Sequence, residues 1–255
     1  MSGISAAFSL SDEIAIVTGG GTGIGLGTAR AFVAAGARVV LVGRRADVLE
    51  SACHELGSSA TFETHDVTHT ETAPDLIRRV TEHTGPPTIL VNNAGVHLKK
   101  AAVDTTEAEL MHVMNTHVTA AFALSRAAAK PMIARGRGNL LFMASMASFM
   151  GIPNVVAYSA AKSAYLGLVR SLAVELAPQG IRVNAIAPGW IETAMSKKAM
   201  DSDPRRKARV LERTPMGRMG HPEDIGWAAV YLCSPAAGFV NGVVLPVDGG
   251  AAIGF

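Results

Sequence analysis

The sequence is poor in cysteine and nearly balanced in charge, and each scarcity argues against a class of protein. Its 255 residues include two cysteines, Cys53 and Cys233, which are too few for a zinc site built from cysteine pairs. Their distant positions favour reduced intracellular thiols, with one disulfide as the alternative. A formal net charge of +2 does not indicate the clustered basic face that nucleic-acid binding needs. We therefore expect no metal site and no nucleic-acid partner.

Long hydrophobic runs are also missing. No stretch approaches the ~20 apolar residues that cross a bilayer, and the first residues lack the basic start and apolar segment of a signal peptide. We therefore predict a cytoplasmic protein with no membrane span. The length suits one large α/β domain, and no repeat, linker or low-complexity stretch divides the chain. The prediction is a single domain over residues 1–255.

The first functional signal is a glycine-rich turn between an apolar strand and a helix. The strand is Ile14–Val17, the turn follows at once, and a helical pattern extends over 26–35. This order is typical of the first βα unit of a dinucleotide-binding fold, where a pyrophosphate lies against the amide groups of the helix. A Walker-type loop is excluded, because no Lys-Ser or Lys-Thr pair follows Gly25. The predicted phosphate-binding residues are Gly19, Gly21, Thr22, Gly23, Ile24 and Gly25.

The end of the second predicted strand indicates which dinucleotide binds. A fold that prefers NAD usually carries an acidic residue here for the ribose hydroxyls, but this strand ends in Gly43, Arg44 and Arg45. The two arginines are suited to a 2′-phosphate, or they are solvated residues that open the next helix. We predict NADP(H) as the preferred cofactor, with Arg44 as the main contact. NAD(H) is the alternative, because Thr22 adds no second positive charge to the glycine turn.

Other strand ends carry polar residues that parallel packing would bring to one edge of the sheet. Asp66 follows the third strand and either contacts the adenine or caps the helix that begins near Thr70. Asn92–Gly95 follows the fourth strand and suits a tight backbone bend under a cofactor. Ser145 ends the fifth strand. His97, in the loop after Gly95, either faces a substrate or is solvated.

A tyrosine and a lysine stand one helical turn apart downstream of Ser145. Tyr158 and Lys162 are separated by four residues, so they should share a helix face. A free tyrosine has a pKa near ~10, and a neighbouring ammonium group lowers that pKa by favouring the phenolate. Ser145 would then hydrogen-bond the oxygen that gains or loses the proton. The alternative is a helix with a buried tyrosine and an exposed lysine.

Taken in order, these motifs resemble the short-chain dehydrogenase/reductase family in its single-domain form, over nearly the whole chain. Each motif is weak alone, but their joint occurrence is specific. The matching residues are Thr18-Gly19 with Gly23-Ile24-Gly25, Asp66-Val67, Asn92-Asn93-Ala94-Gly95, Asn115, Ser145, Tyr158-Ser159-Ala160-Ala161-Lys162, Arg182-Val183-Asn184 and Pro188-Gly189.

The resemblance implies a doubly wound α/β (Rossmann) fold, with a seven-stranded parallel sheet and helices on both faces. It implies that Tyr158 is the acid/base and that Lys162 lowers its pKa and holds the nicotinamide ribose. Ser145 would position the carbonyl oxygen. Asn115 is similar to a helix-kink residue that supports a water between Lys162 and bulk solvent.

The resemblance also implies further cofactor contacts. The Gly43-Arg44 pair is similar to that of members that prefer NADP, whereas Thr22 departs from members that place a basic residue there. Asp66 and Val67 would border the adenine. The remaining cofactor-binding residues implied are Asn92, Ala94 and Gly95 near the adenosine ribose, Pro188, Gly189, Ile191 and Thr193 near the nicotinamide and pyrophosphate, and Tyr158 and Lys162 themselves.

A lid over the substrate at about 190–215 and a homotetramer are also expected from the resemblance, with the predicted helices 106–130 and 157–177 packing between subunits. Seven Lys or Arg lie between residues 194 and 213, so the lid either favours an anionic substrate or contains a solvated amphipathic helix. The predicted substrate pocket is mostly apolar and comprises His97, Ser145, Ala147, Phe149, Met150, Asn154, Tyr158 and Trp190.

Three functions fit these residues. The first is an NADPH-dependent ketone reductase or secondary-alcohol dehydrogenase, with a 3-oxoacyl thioester as the leading substrate. The second is a polyol or sugar-acid dehydrogenase of the gluconate type. The third is a non-catalytic regulator that binds NADPH, which the intact Ser145, Tyr158 and Lys162 disfavour. The first two take a small carbonyl or alcohol substrate and no metal.

Overall fold

The computed structural model describes residues 3–194, 196–197 and 204–254. Seven strands in this part of the chain form one parallel sheet in the order β3-β2-β1-β4-β5-β6-β7. This confirms the predicted fold. The strands are β1 (Ile14–Thr18), β2 (Arg38–Gly43), β3 (Ala60–Thr64), β4 (Ile89–Asn92), β5 (Gly138–Met143), β6 (Ile181–Pro188) and β7 (Val244–Val247).

Helices cover both faces of the sheet, because alternate strand residues point to opposite sides. In β1, Ile14 and Ile16 belong to one buried apolar cluster, whereas Ala15 and Val17 belong to another. The helices are α1 (Gly3–Ala7), α2 (Gly23–Ala34), α3 (Ala46–Leu56), α4 (Ala73–His83), α5 (Glu107–Met114), α6 (Ala120–Arg135), α7 (Val156–Leu176), α8 (Pro204–Arg213) and α9 (Pro222–Cys233). The first cluster includes residues of α4, α6 and α7, and the second residues of α2, α3 and α9.

The strand order reverses between β1 and β4, which pair side by side. In open parallel sheets, ligands bind outside the carboxyl ends of the strands at such a reversal. Val17 of β1 lies opposite Leu41 on one side and Val91 on the other. The turns after β1, β2 and β4 therefore meet at one edge, as the sequence predicts.

The predicted helix over 106–130 is wrong in two respects. It is divided by a π turn over Asn115–Thr119, and it continues past Pro131 to Arg135. Proline inside a helix costs about 3 kcal/mol, but burial of the α6 face, including Met132 with no exposed surface, offsets that cost. Packing of α6 under the sheet therefore overrides the local helix-breaking signal.

The predicted lid is described in part. Residues 195 and 198–203 of the 190–215 segment lie outside the described residues, and its remainder contains α8. Cys53 and Cys233 are free thiols. Among the described residues, no helix has the length and apolar character to cross a membrane, and no cluster of three His, Cys, Asp or Glu is arranged to hold a metal.

Candidate active site

The edge of the sheet at the strand reversal is organised by Thr18, the last residue of β1. Its hydroxyl donates to the Val91 carbonyl oxygen (3.1 Å) and accepts from the amides of Asn93 (2.9 Å) and Ala94 (3.0 Å). Asn93 Nδ2 donates in turn to the Thr18 carbonyl oxygen (2.8 Å). The two residues tie the glycine turn to the loop after β4. Thr18 and Asn93 occur in the motifs above, but neither has a role there, and a hydroxyl ending a buried strand is the signal for one.

The glycine turn is compact and ends on the first turn of α2. Gly19 and Gly23 have positive φ angles of 65° and 56°, a conformation that glycine adopts without strain. A Cβ added to Gly25 would lie 2.3 Å from the Gly19 carbonyl oxygen. The N-cap residue Thr22 makes no side-chain cap hydrogen bond, which leaves first-turn amides available to a ligand. This geometry fits the pyrophosphate of a dinucleotide.

Two other predicted residues of this turn have their side-chain positions directed at the protein. Ile24 packs its side chain against the core, and a Cβ on Gly21 would meet Val48 Cγ1 at 3.0 Å. Thr193 lies beside the turn, since a Cβ on Gly23 would be 3.3 Å from its Cγ2 atom. The structure therefore brings the loop after β6 to the glycine turn, as expected.

Pro188 and Gly189 occupy the end of β6 and the start of that loop. A Cβ on Gly189 would lie 2.6 Å from Asp248 Cα, so the loop packs closely on the segment after β7. Ile191 is buried and pairs with Gly220 in an isolated bridge.

Arg44 and Arg45 lie at the end of β2 with exposed side chains. Arg44 Nη1 is 3.7 Å from Asp66 Oδ2, and its side chain is 72% exposed, so this ion pair is weak. The other carboxylate oxygen, Asp66 Oδ1, accepts from the amide (3.0 Å) and hydroxyl (2.8 Å) of Thr68. Asp66 thus stabilises a turn before Thr70 rather than capping the helix. Its other proposed role, contact with the adenine, stays a prediction.

Partial burial alone would raise the pKa of the Asp66 carboxyl, but the Thr68 hydrogen bonds and Arg44 outweigh burial and lower the pKa. The carboxylate is therefore charged at neutral pH. Val67 is buried in the core, and its contact with the adenine stays a prediction.

The Asn92 side chain is turned into the core between β4 and α6. It is buried, and its Nδ2 atom donates to Ser125 Oγ in α6 (2.9 Å). Its Oδ1 atom has no hydrogen-bond partner among the described residues. The side chain thus ties β4 to α6, and the following Ala94 and Gly95 occupy the bend above it.

Ser145, Tyr158 and Lys162 come together at the end of β5. The Ser145 hydroxyl accepts from the Ala147 amide (3.1 Å) and also hydrogen-bonds the Tyr158 side chain. Lys162 Nζ donates to the Met143 carbonyl oxygen and lies 5.6 Å from the centre of the Tyr158 ring. Tyr158 and Lys162 share a face of α7, as predicted from their spacing.

The electrostatics differ from the sequence expectation. Burial raises the pKa of the Tyr158 phenol, while the Ser145 hydrogen bond acts in the opposite direction. Burial also lowers the pKa of Lys162 to about 7. Loss of water disfavours the charged form of each group, and this effect outweighs the attraction that would lower the pKa of the phenol. The Tyr158–Lys162 pair therefore loses its first proton to solvent as the pH rises through about 7.

Asn115, which begins the π turn, has no contact with Ser145, Tyr158 or Lys162 among the described hydrogen bonds and ring pairs. It is exposed at the first position of the π turn, and its Oδ1 atom accepts from Thr119 Oγ1 (3.4 Å). The extra residue in a π turn shifts the phase of the side chains. His117, two residues later, is buried, and its ring faces that of Tyr158 at a centroid separation of 5.6 Å.

The predicted substrate residues are only partly brought together. The ring of His97 lies 5.2 Å from that of Tyr158. Met150 lies beside α8, in the segment predicted as a lid, where Arg213 Nη2 is 3.9 Å from its sulfur atom. Ala147 is buried, Phe149 is exposed, and Asn154 is an exposed loop residue at φ 64° whose carbonyl oxygen accepts from the Lys100 amide.

Trp190 is placed differently from the other predicted pocket residues. It lines a cavity of about 220 Å³ to which Ser145, Tyr158 and Lys162 do not contribute. Its role in binding the substrate of Tyr158 therefore stays a prediction without a contact to support it. The cavity is lined by Trp190, Ile191, Met216, Arg218, Gly220, Asp224, Val247, Asp248 and Gly249.

The chain matches a family model and several known proteins over nearly its whole length. A family model described as enoyl-(acyl carrier protein) reductase matches residues 18–252. The chain is 42% identical to the 2-dehydro-3-deoxy-D-gluconate 5-dehydrogenase of Bacillus subtilis (strain 168) over 246 residues, which cover 96% of each protein. It is also 42% identical to the galactitol 2-dehydrogenase (L-tagatose-forming) of Cereibacter sphaeroides, over 95% of this chain and 96% of that one.

A solved structure shows the same likeness. The gluconate 5-dehydrogenase of Burkholderia cenocepacia J2315, in complex with NADP and tartrate, superposes with a TM-score of 0.94 at 30% identity. The superposition covers 99% of this chain and 100% of that chain. The match thus extends over the whole arrangement of strands and turns described above.

Proposed function

Since this chain belongs to the short-chain dehydrogenase/reductase family and is an NAD(P)-dependent dehydrogenase acting on CH–OH groups, we propose that it oxidises or reduces sugar acids or polyols with NADP(H). The observation that carries the proposal is the grouping of Ser145, Tyr158 and Lys162 at the end of β5, on the sheet edge that also carries the glycine turn. A phenol, a hydroxyl and an amine in contact have the chemistry to move a proton to or from a substrate oxygen.

The relatives favour a sugar-type substrate over a 3-oxoacyl thioester. Two of the named relatives act on a sugar acid or its keto derivative, and the third acts on a polyol. We therefore prefer the second sequence hypothesis to the first, which had the thioester as its leading substrate. The non-catalytic regulator remains the least supported, because Ser145, Tyr158 and Lys162 are intact and grouped at the end of β5.

The chain's own residues account for the proton transfer. Bound NADP(H) supplies or accepts the hydride. In the oxidation direction, Tyr158 takes the proton of the substrate hydroxyl as the carbonyl forms. In reduction, the Tyr158 phenol donates its proton to the carbonyl oxygen, and Ser145 stabilises the negative charge on that oxygen by a hydrogen bond. Lys162, when protonated, favours the phenolate form of Tyr158.

The preference for NADP(H) is supported by the end of β2. No acidic residue follows Gly43 within the turn, and two exposed arginines are available to a 2′-phosphate. The Burkholderia relative was solved with NADP. Asp66 lies beside Arg44 and repels a phosphate there, so some use of NAD(H) is expected.

An acidic substrate is supported by Arg213 at the end of the lid helix. Its guanidinium lies against Met150, in the loop after Ser145, and its Nε atom is buried without a hydrogen-bond partner among the described residues. Buried donors of this kind are normally satisfied. A carboxylate accepts from two guanidinium nitrogens at once, so a sugar acid would satisfy Arg213 where a neutral polyol would do so less well.

A substrate screen tests the proposal. Purified protein is assayed spectrophotometrically with NADP(H) and NAD(H) against gluconate-type acids, their keto forms, polyols and 3-oxoacyl thioesters. We expect turnover with sugar acids or polyols, and a higher kcat/KM with NADP(H). Turnover of thioesters alone would contradict the proposed substrate class.

We also propose the homotetramer expected from the family. Large apolar side chains are exposed on the two helices expected at the interface, Phe122 and Ile133 on α6 and Val156 and Val174 on α7. Burial of such side chains would stabilise an assembly. Light scattering of the eluted protein should give four times the monomer mass of 26.5 kDa, and a monomer mass would contradict the proposal.

A further inference from the structure

The π turn places a histidine, rather than an asparagine, inside the site. His117 is 2% exposed, whereas Asn115 faces solvent. His117 contacts three parts of the site: its ring touches the Tyr158 ring and the Gly95–Val96 backbone, and its backbone carbonyl group bonds Tyr165. No other residue of the turn makes more than one of these contacts among the described hydrogen bonds and ring pairs.

The contact with Val96 is specific. His117 Nε2 lies 2.8 Å from the Val96 carbonyl oxygen and 3.1 Å from its amide nitrogen. A neutral imidazole nitrogen either donates or accepts, so it satisfies one of these two groups at a time. A Cβ on Gly95 would lie 2.2 Å from His117 Cε1, which shows that the ring packs directly on the backbone of the loop after β4.

The contacts with the tyrosines connect this loop to α7. The His117 ring meets Tyr158 edge-on, with an interplanar angle of 86°, an arrangement that aromatic pairs prefer. The His117 carbonyl oxygen accepts from the Tyr165 hydroxyl (2.8 Å). The Tyr165 ring centre lies 4.9 Å from Lys162 Nζ. His117 therefore links the loop that leads to His97, the Tyr158 phenol and the surroundings of Lys162.

The His117 ring is neutral at neutral pH. Burial is the main cause that lowers the pKa of His117 to about 3, and the charges of Lys162 and His97 act in the same direction. The hydrogen bond with Val96 acts in the opposite direction but is outweighed. A neutral ring lies beside the Tyr158–Lys162 pair without repelling its positive charge.

We infer that His117 is a positioning residue of this active site, which holds the Tyr158 ring and the Val96 peptide in the geometry that proton transfer requires, and that Asn115 has no such part. The inference rests on the proposed function. It predicts that the amide of glutamine, which donates and accepts at once, replaces the imidazole better than a leucine of similar volume.

Four variants test the inference in steady-state assays with the best substrate from the screen. His117→Leu should lower kcat at least 30-fold while the KM for NADP(H) changes less than threefold, and His117→Gln should restore kcat to within fivefold of wild type. Asn115→Ala should stay within twofold. Thr116→Val is the matched control, because Thr116 is buried in the same turn and bonds only His112 among the described hydrogen bonds; it should also stay within twofold.

Circular dichroism and thermal melting show which variants fold. If His117→Leu does not fold, His117→Ser, which leaves room for water, takes its place with the same expected loss. A folded Leu or Ser variant with kcat within threefold of wild type would overturn the inference, and so would a loss in Asn115→Ala as large as that in the His117 variant. Absence of turnover in the wild type would instead overturn the proposed function and the inference with it.

Discussion

Two bends of the backbone shape this site, and they arise in different ways. The glycine turn after β1 needs residues that adopt positive φ angles, as Gly19 and Gly23 do. The π turn over Asn115–Thr119 is built from ordinary residues, and its contacts with Val96 and Tyr165 come from distant parts of the chain. A bend that depends on residue type can be recognised in a sequence, whereas a bend that depends on tertiary contacts cannot.

The largest effect is expected from removal of the Tyr158 phenol, which the π turn contacts through His117. Tyr158→Phe removes the group that gives or takes the proton, and kcat should fall at least ~10³-fold, within the range for general acid–base catalysis. NADPH binding, measured by fluorescence, should change less than about threefold, because the glycine turn is untouched. Tyr231→Phe on α9 is the control and should retain full activity. Turnover above a tenth of wild type in Tyr158→Phe would refute the acid/base assignment.

The glycine turn can be disrupted by one methyl group. Alanine normally stabilises a helix by about 0.5–1 kcal/mol relative to glycine. In Gly25→Ala, however, the new Cβ would lie 2.3 Å from the Gly19 carbonyl oxygen, and overpacking costs about 1–3 kcal/mol. We expect a lower free energy of unfolding and weakened NADPH binding.

The matched control for this change is Gly167→Ala in α7, where an added Cβ has no neighbour within 4 Å. That variant should gain the ordinary stability of alanine. Denaturant unfolding and NADPH titration measure both proteins. If the two variants behave alike, the close approach at Gly25 has no consequence.

The proposed preference for NADP(H) depends on the charge of the arginines after β2 rather than on the shape of the glycine turn. Arg44→Leu should raise the KM for NADP(H) by about 10- to 100-fold, which corresponds to the 1.5–3 kcal/mol of a charge-assisted hydrogen bond, and leave the KM for NAD(H) within twofold. Arg45→Leu is the paired variant and should have the smaller effect. Equal losses with both cofactors would mean that Arg44 supports the fold rather than the 2′-phosphate.

The smallest expected change concerns the lid. Arg213→Gln should raise the KM for a sugar acid about tenfold, equivalent to 1.4 kcal/mol, and leave the KM for a neutral polyol unchanged. Lys207→Gln, an exposed position on the same helix, should affect neither substrate. An equal rise of the KM for the sugar acid and the polyol would show that Arg213 does not bind the carboxylate.

The same distinction explains which predictions from the sequence succeeded. The sheet, the glycine turn and the shared face of Tyr158 and Lys162 follow from periodicity and residue type. The helix through Pro131 and the outward orientation of Asn115 depend on packing of α6 and on the π turn, neither of which has a local signature. The extent of the single domain over 1–255 stays a prediction.

Electrostatics were the other limit of sequence reasoning. The spacing of Tyr158 and Lys162 indicates that they interact, but the sign of the pKa shift at Tyr158 depends on how much water each group loses. Burial of both residues reverses the expected direction. A helical spacing does not contain that information.

The pH dependence of kcat/KM in both directions is the most direct test of proton transfer through Tyr158. Below pH 7 the Tyr158–Lys162 pair holds both protons, and the first is lost as the pH rises through the Lys162 pKa of about 7; this proton belongs to the coupled pair. Alcohol oxidation needs the form of the pair that has lost one proton, because only that form can accept the proton of the substrate. Its kcat/KM should therefore increase from pH 6 to pH 8, about tenfold per pH unit below the pKa. Ketone reduction needs the form of the pair that holds both protons, so its kcat/KM should fall over the same pH interval. Parallel or flat profiles in the two directions would contradict proton transfer through Tyr158.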